Sequence, residues 1–145
     1  MRIDRRFVTS PGAPYGAIRF RRADSEIRSI SGEVIFEARD IEAPQTWSQT
    51  AVDILAQKYL RRTGVPAAVR RVRERGVPEF LQRSMPDVAA LAKLPAEARY
   101  GRETSARQVF ERIAGAWAYW GWKGGYFGKD EGAASAFLDE MRYML

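Results

Sequence analysis

Read as a string of apolar and polar positions, the 145-residue chain changes period near residue 45. Before it, Ile18, Phe20 and Ile27 alternate loosely with Arg19, Arg21 and Arg22, and Val34-Ile35-Phe36 forms a second β-branched and aromatic run. Alternation of this kind predicts extended chain, and Ser29-Ile30-Ser31-Gly32 between the runs supplies turn residues, so a small antiparallel hairpin is expected. Pro11-Gly12-Ala13-Pro14 ahead of it breaks any regular element. After residue 45 the spacing becomes helical. Trp47, Ala51, Val52, Ile54, Leu55, Tyr59 and Leu60 fall on one stripe, with Thr46 or Ser48 as cap. Arg61 and Arg62 would occupy the last turn, and Gly64-Val65-Pro66 would end the helix as a C′ glycine followed by proline.

Residues 66–98 are divided by Pro66, Pro78, Pro86 and Pro95, and short helical pieces are expected there, the first from Ala67 to Arg75. A long helix is predicted from Thr104-Ser105, where Ser105 with Gln108 matches a capping box. Val109, Phe110, Ile113, Ala114, Trp117 and Trp120 carry its stripe, and Gly121 weakens it. Asp130 can cap a last helix whose apolar positions are Ala133, Ala134, Phe137, Leu138, Met141 and Leu145. The pattern runs on through Tyr143-Met144-Leu145 without a stop signal, which suggests a fragment or split subunit whose residues 133–145 seek a partner, either a separate chain or a second copy. The expected fold is therefore α+β and predominantly α-helical. It would be one domain over 1–145, with an extended hairpin segment at 1–45 and a helical segment at 46–145.

Composition narrows the chemistry. The chain holds no cysteine and no histidine. That removes disulfides, thiolate nucleophiles, iron–sulfur ligation, imidazole catalysis and the usual structural zinc set. Met1-Arg2-Ile3-Asp4-Arg5-Arg6 is charged and no apolar h-region follows, so no secretory signal is read, and no run suffices to span a membrane. Cytoplasm is the expected compartment. A net charge of +6 permits anionic partners without choosing among them.

Few side chains are candidates for a site. The stretch from Trp120 to Gly128 is rich in glycine and aromatics. Trp120, Trp122 and Tyr126 could stack on a base or a corrin-like ring, Gly124 and Gly125 would let backbone approach it, and Lys123 could meet a phosphate. The order of residues is not that of a phosphate loop, and the competing reading is a helix–helix connection filled by its own aromatics. Adjacent carboxylates Asp139-Glu140 and Asp130-Glu131 point apart on a helix and are expected to be solvated, as is Asp24-Ser25-Glu26. Lys58 reads as a surface cation. No catalytic residue and no metal ligand set emerges.

Several stretches, in order along the whole chain, resemble the N-terminal region of the long, cobalamin-dependent (class II) ribonucleotide reductases. They are Ser25-Glu26-Ile27-Arg28, Thr46-Trp47-Ser48-Gln49 leading to Ala56-Gln57-Lys58-Tyr59, Gly64-Val65-Pro66, Arg99-Tyr100-Gly101 with Glu103-Thr104-Ser105-Ala106, Trp117 to Phe127, and Asp139 to Leu145. The tryptophan–glycine stretch is the most specific of these. Two loops depart from the pattern: Glu131 to Ala134 is less acidic than a family helix start, and Ile30-Ser31-Gly32 is not an Asn/Asp-Gly turn. The resemblance implies an enzyme that reduces ribonucleotides, as diphosphates with a thioredoxin-type reductant, for DNA synthesis. In the family a ten-stranded α/β barrel holds adenosylcobalamin, a thiyl-radical cysteine and two reducing cysteines. None of those cysteines is present here, so no catalytic residue carries over. What carries over is the role of a hairpin-and-helix preface, without the barrel and without its cofactor, packing on a barrel in the same or a separate chain.

A different class of function competes. Arg61, Arg62, Arg70, Arg71, Arg73 and Arg75 could serve a stand-alone module binding nucleic acid or an acidic protein. Such a module should carry stacking aromatics beside its arginines, whereas the aromatics here cluster at 117–127. Any nucleic-acid binding is accordingly expected to be unspecific. A small cofactor-free enzyme is disfavoured by the missing histidine and the unpaired carboxylates.

Overall fold

The computed structural model describes residues 3–145. Its elements run β1 (Phe20–Arg28), β2 (Val34–Pro44), α1 (Gln49–Ile54), a π-helical turn (Leu55–Tyr59), β3 (Val65–Pro66), β4 (Val69–Arg71), β5 (Ser84–Pro86), α2 (Val88–Ala92), β6 (Tyr100–Gly101), α3 (Ala106–Lys123) and α4 (Glu131–Met144). Single 3-10 turns lie at Glu79–Leu81 and Ala96–Ala98. The strands form three two-stranded antiparallel ribbons, β1–β2, β3–β6 and β4–β5. The fold is α+β, as expected.

The hairpin forms where alternation predicts it. Its tip is closed by Ser29 N–H to Glu33 O at 2.8 Å and Gly32 N–H to Ser29 O at 2.9 Å, with Gly32 at φ 86°. A bulge falls between Ala23 and Ser25, opposite Arg39 and Asp40. There Asp40 adopts φ 59°, a conformation aspartate tolerates better than most residues, and its N–H is taken by Asp24 Oδ1 at 2.9 Å. Beyond the bulge, Ile41 and Ala43 turn into the core. Ser25 is fully buried and not on the surface: β1 keeps its alternation past the bulge, which puts Ser25 on the same face as Ala23.

Two apolar clusters share α3. The first joins Ile41 and Ala43 of β2, Val52, Leu55, Ala56 and Leu60, and Val109 and Phe110 of α3. The second joins Val77 and Leu81, Ala114 and Ala118 of α3, Phe127, and Ala133, Ala134 and Leu138 of α4. Small residues at 114, 118, 133 and 134 let α3 and α4 approach closely, and Leu145 packs against both clusters.

Several helix ends differ from expectation. The first helix is short. Ser48, not Thr46, caps it, accepting from Ala51 N–H at 3.2 Å. It then widens into the π-turn, closed by Leu60 N–H to Leu55 O at 3.0 Å. Leu60 is extended, so Arg61 and Arg62 lie beyond the helix, and Gly64 is not its C′ residue. Residues 66–98 do contain short helical pieces, α2 and the two 3-10 turns, but the first expected piece is extended. Ala67 to Arg75 holds β4, whose Val69 pairs with Pro86 and whose Arg71 pairs with Ser84. The prolines explain the difference: Pro66 and Pro86 sit in ribbon strands, while Pro78 and Pro95 immediately precede the two 3-10 turns. The capping box of α3 forms as predicted, with Gln108 Oε1 accepting Ser105 N–H at 3.0 Å. Gly121 does not end α3, which runs on to Lys123. A Cβ at 121 would stand 2.8 Å from Phe127 Cε2, so glycine is what lets the buried Phe127 ring lie on the helix.

Candidate functional site

The glycine-rich aromatic loop is committed to its own chain more than to open space. Trp122 donates Nε1–H to Gly76 O at 2.7 Å, and Lys123 Nζ binds Glu74 Oε1 at 2.6 Å. The hydrogen bond from Lys123, joined by one from Tyr119, holds the Glu74 carboxyl below its usual range, and the same contact raises Lys123. Gly124 caps α3, and a Cβ there would meet the Tyr126 ring at 3.0 Å. Gly125 turns the chain at φ 75°. Phe127 is buried, while Trp120 and Tyr126 are exposed. An open, basic hollow of about 820 Å³ lies beside Trp122, Lys123, Gly125 and Lys129. Trp122 and Lys123 thus have their side-chain polar atoms engaged within the chain, and the amides of Gly124, Gly125 and Tyr126 donate to Trp120 O, Trp122 O and Gly121 O. Among the described residues, no three acidic side chains meet as metal ligands. No helix of the described chain is long and apolar enough to cross a membrane.

Of the carboxylates expected to be solvated, Asp130 and Glu131 are exposed, but Asp139 and Glu140 are buried. Asp139 is 2% exposed and Glu140 7%. Helix α4 presents both to residues 5–12. Glu140 Oε1 accepts N–H from Arg6 at 3.0 Å, Phe7 at 3.1 Å and Val8 at 2.9 Å. Asp139 Oδ2 accepts Gly12 N–H at 3.0 Å and binds Arg5 Nη1 at 2.6 Å. Burial alone would raise the Glu140 carboxyl, but the backbone donors of Val8, Arg6 and Phe7 outweigh it and hold it below the usual range. Phe7 stacks on Tyr143 with ring centroids 5.2 Å apart, which completes the strap. Sequence spacing argued that the two point apart on the helix. What it missed is that a third segment could receive both.

Glu103 plays a similar part at the other end of α3. It is buried and accepts Arg61 N–H at 2.9 Å, Arg61 Nε at 2.8 Å and Arg112 Nη2 at 3.1 Å. Burial pushes its carboxyl up, yet the hydrogen bonds from Arg112 and Arg61 win and lower it. Arg61 is therefore a structural cation. Arg62 lies over the Phe36 ring at 4.9 Å. Arg70, Arg71, Arg73 and Arg75 are exposed along and beyond β4, with Arg71 donating to Gln82 O.

The last helix does not offer the apolar stripe expected of residues 133–145. Ala133, Ala134, Ala136 and Leu138 are buried, and Phe137 and Met141 pack on the second cluster, leaving Met144 exposed. The apolar side chains left open lie elsewhere. A groove of about 320 Å³ runs between the first helix and α3, walled by Trp47, Ala51, Ile54, Leu55, Tyr59, Val109, Phe110, Ile113 and Leu145.

The profile described as class II vitamin B12-dependent ribonucleotide reductase matches residues 21–145. The chain belongs to that family. It is 55% identical over all 145 residues to the vitamin B12-dependent ribonucleotide reductase of Bradyrhizobium diazoefficiens, of which it spans 12%. It is 56% identical over the same length to that of Agrobacterium fabrum, spanning 11%. The reductase of Streptomyces clavuligerus is 31% identical over 113 residues, which is 77% of this chain and 11% of that protein. The chain thus corresponds to the N-terminal region of these reductases and to about one ninth of their length.

Proposed function

We propose that the chain is a non-catalytic, scaffolding N-terminal domain, folded as one unit over 1–145, of a reductase that converts ribonucleotides to deoxyribonucleotides for DNA replication in the cytoplasm. The observation that carries this reading is the full-length match to one ninth of the relatives, in a chain without a single cysteine or histidine. Reduction at the ribose 2′ position by this family's thiyl chemistry needs sulfhydryl groups, and these residues supply none. In the parent enzyme the substrates would be ribonucleoside diphosphates, the reductant of the thioredoxin type, and adenosylcobalamin the cofactor.

The residues present do not fit that cofactor. No imidazole is available to cobalt. Of the residues proposed to cradle a corrin, Trp122 and Lys123 are spent on Gly76 and Glu74, and Gly124 is crowded by Tyr126. This supports placing cobalamin and nucleotide in the remaining eight ninths of the enzyme, with the loop at 120–128 acting as packing. What the residues of this chain do is hold geometry. Glu103 ties the first helix to α3, and Asp139 and Glu140 strap residues 5–12 across α4.

The test is direct. The isolated chain, incubated with adenosylcobalamin, dithiol and each ribonucleotide, should form no deoxyribonucleotide. The Agrobacterium fabrum reductase whose matching region is replaced by this chain should form it. Product from the isolated chain above a protein-free control would overturn the scaffolding role.

A further inference from the structure

Four large side chains on one side of the molecule are left in water: Ile54 is 50% exposed, Tyr59 52%, Trp117 42% and Trp120 63%. Ile54 and Tyr59 line the apolar groove between the first helix and α3. On α3, Ile113 lines the groove too, and Trp117 and Trp120 follow it at i+4 and i+7, which puts them on the same face and extends the groove along the helix. Single exposed hydrophobics are ordinary, but a contiguous run of this size marks an interaction surface. Tryptophan and tyrosine are also the side chains that dominate buried interface centres.

We infer that this groove and the Trp117–Trp120 face seat the catalytic remainder of the reductase, through an apolar surface of that remainder. The inference rests on the reading of the chain as the reductase's N-terminal domain. Two observations select this occupant. The relatives carry about eight times as much further chain as the region matched here, so each has a large body for this region to pack against. Leu145, the last matched residue, is itself part of the groove wall, so in those relatives the chain that follows leaves from the groove's rim. A second copy is the poorer occupant, because each copy brings a net charge of +6 and like-charged surfaces repel. Apart from Leu145, the last helix contributes nothing to this surface, because its apolar stripe is used within the chain's own second cluster.

Hydroxyl-radical footprinting of the isolated chain and of the same chain joined to the remainder of the Agrobacterium fabrum reductase tests this. Tyr59, Trp117 and Trp120 should be labelled readily in the isolated chain and at least fivefold less in the joined protein. Met85 on β5, exposed and outside the groove, should label equally in both. Carrying Ile54→Glu and Trp117→Glu, the joined protein should regain labelling at Tyr59 and Trp120, while the isolated double variant keeps its melting temperature. Unchanged labelling of Tyr59, Trp117 and Trp120 on joining overturns the groove assignment. If the joined protein then still forms deoxyribonucleotides, the family role stands and docking is elsewhere. If it forms none while the unaltered Agrobacterium enzyme does, the family role falls as well. Protection that instead grows with concentration of the isolated chain overturns the assignment in favour of self-association.

Discussion

Replacing Glu140 with glutamine isolates the energetic weight of the strap. The substitution keeps shape and removes charge from an acceptor that serves three backbone N–H groups, those of Arg6, Phe7 and Val8. Hydrogen bonds to a charged group contribute about 1.5–3 kcal/mol each and neutral ones about 1, so three weakened bonds give an upper limit of about 6 kcal/mol. Arg6 and Phe7 are exposed and their amides can turn to water, whereas Val8 is buried and its amide cannot. Residues 5–12 can also detach and regain backbone freedom, which caps the loss at about 2–3 kcal/mol. Urea unfolding at pH 7 should show that loss as a lower midpoint, and hydrogen exchange should show Val8 N–H losing protection before the α3 core. The folded Glu140 carboxyl binds its proton less tightly than the unfolded one. Stability is therefore complete above the ordinary glutamate value of about 4.3 and is lost as pH falls through the lowered folded value. Glu140→Gln should flatten that acid limb. A variant with the parental midpoint, the parental acid limb and an equally protected Val8 amide would refute the strap as a stabilising device.

Three further outcomes are expected. Gly121→Ala adds a methyl 2.8 Å from the Phe127 ring; overpacking of about 1–3 kcal/mol outweighs a helix gain of about 1 kcal/mol, and the net loss should disappear in a Phe127→Leu background when the pair is measured as a double-mutant cycle. Glu103→Gln should cost about 1–2 kcal/mol in urea titrations, discounted because Arg61 and Arg112 are partly in water, and should reduce the stability lost as pH falls below the ordinary glutamate range. Oligonucleotide binding followed by fluorescence anisotropy should be sequence-blind and fall steeply between 50 and 200 mM salt, through about five arginines at 62–75; selective binding that survives high salt would favour a stand-alone nucleic-acid module.

The legible parts of the fold were those written in local pattern. Alternation around Phe20 and Val34, the Ser105–Gln108 box and the Asp130 cap each depend on neighbours within four residues, and each formed. What was illegible depends on partners far along the chain. Residues 66–98 look like broken helix, yet β3 pairs with β6 at Gly101, more than thirty residues on. Gly121 looks like a helix breaker until Phe127 folds back onto it. Asp139 and Glu140 look solvated because nothing near them in sequence needs an acceptor; their partners are at residues 5–12. The apolar stripe of the last helix was legible, but not which side of it is already covered. The loop at 120–128 was marked by composition, and its packing role turns on Gly76 and Glu74, which no local rule connects to it.

The strap also fixes an order of events at the ribosome. Residues 6–8 are made early and their acceptor Glu140 is made more than 130 residues later. At about 5–20 residues per second, the segment waits on the order of ten seconds with Val8 uncovered. The hairpin and the first helix can assemble in that time, since their contacts are local. The final closure joins the two most distant parts of the matched region, so it reports that every residue between them has been synthesised. A nascent chain stalled before Asp139 therefore displays an untied segment, Arg5 and Arg6 beside Phe7 and Val8, with its apolar side chains open to water. A chain grown past Glu140 withdraws it.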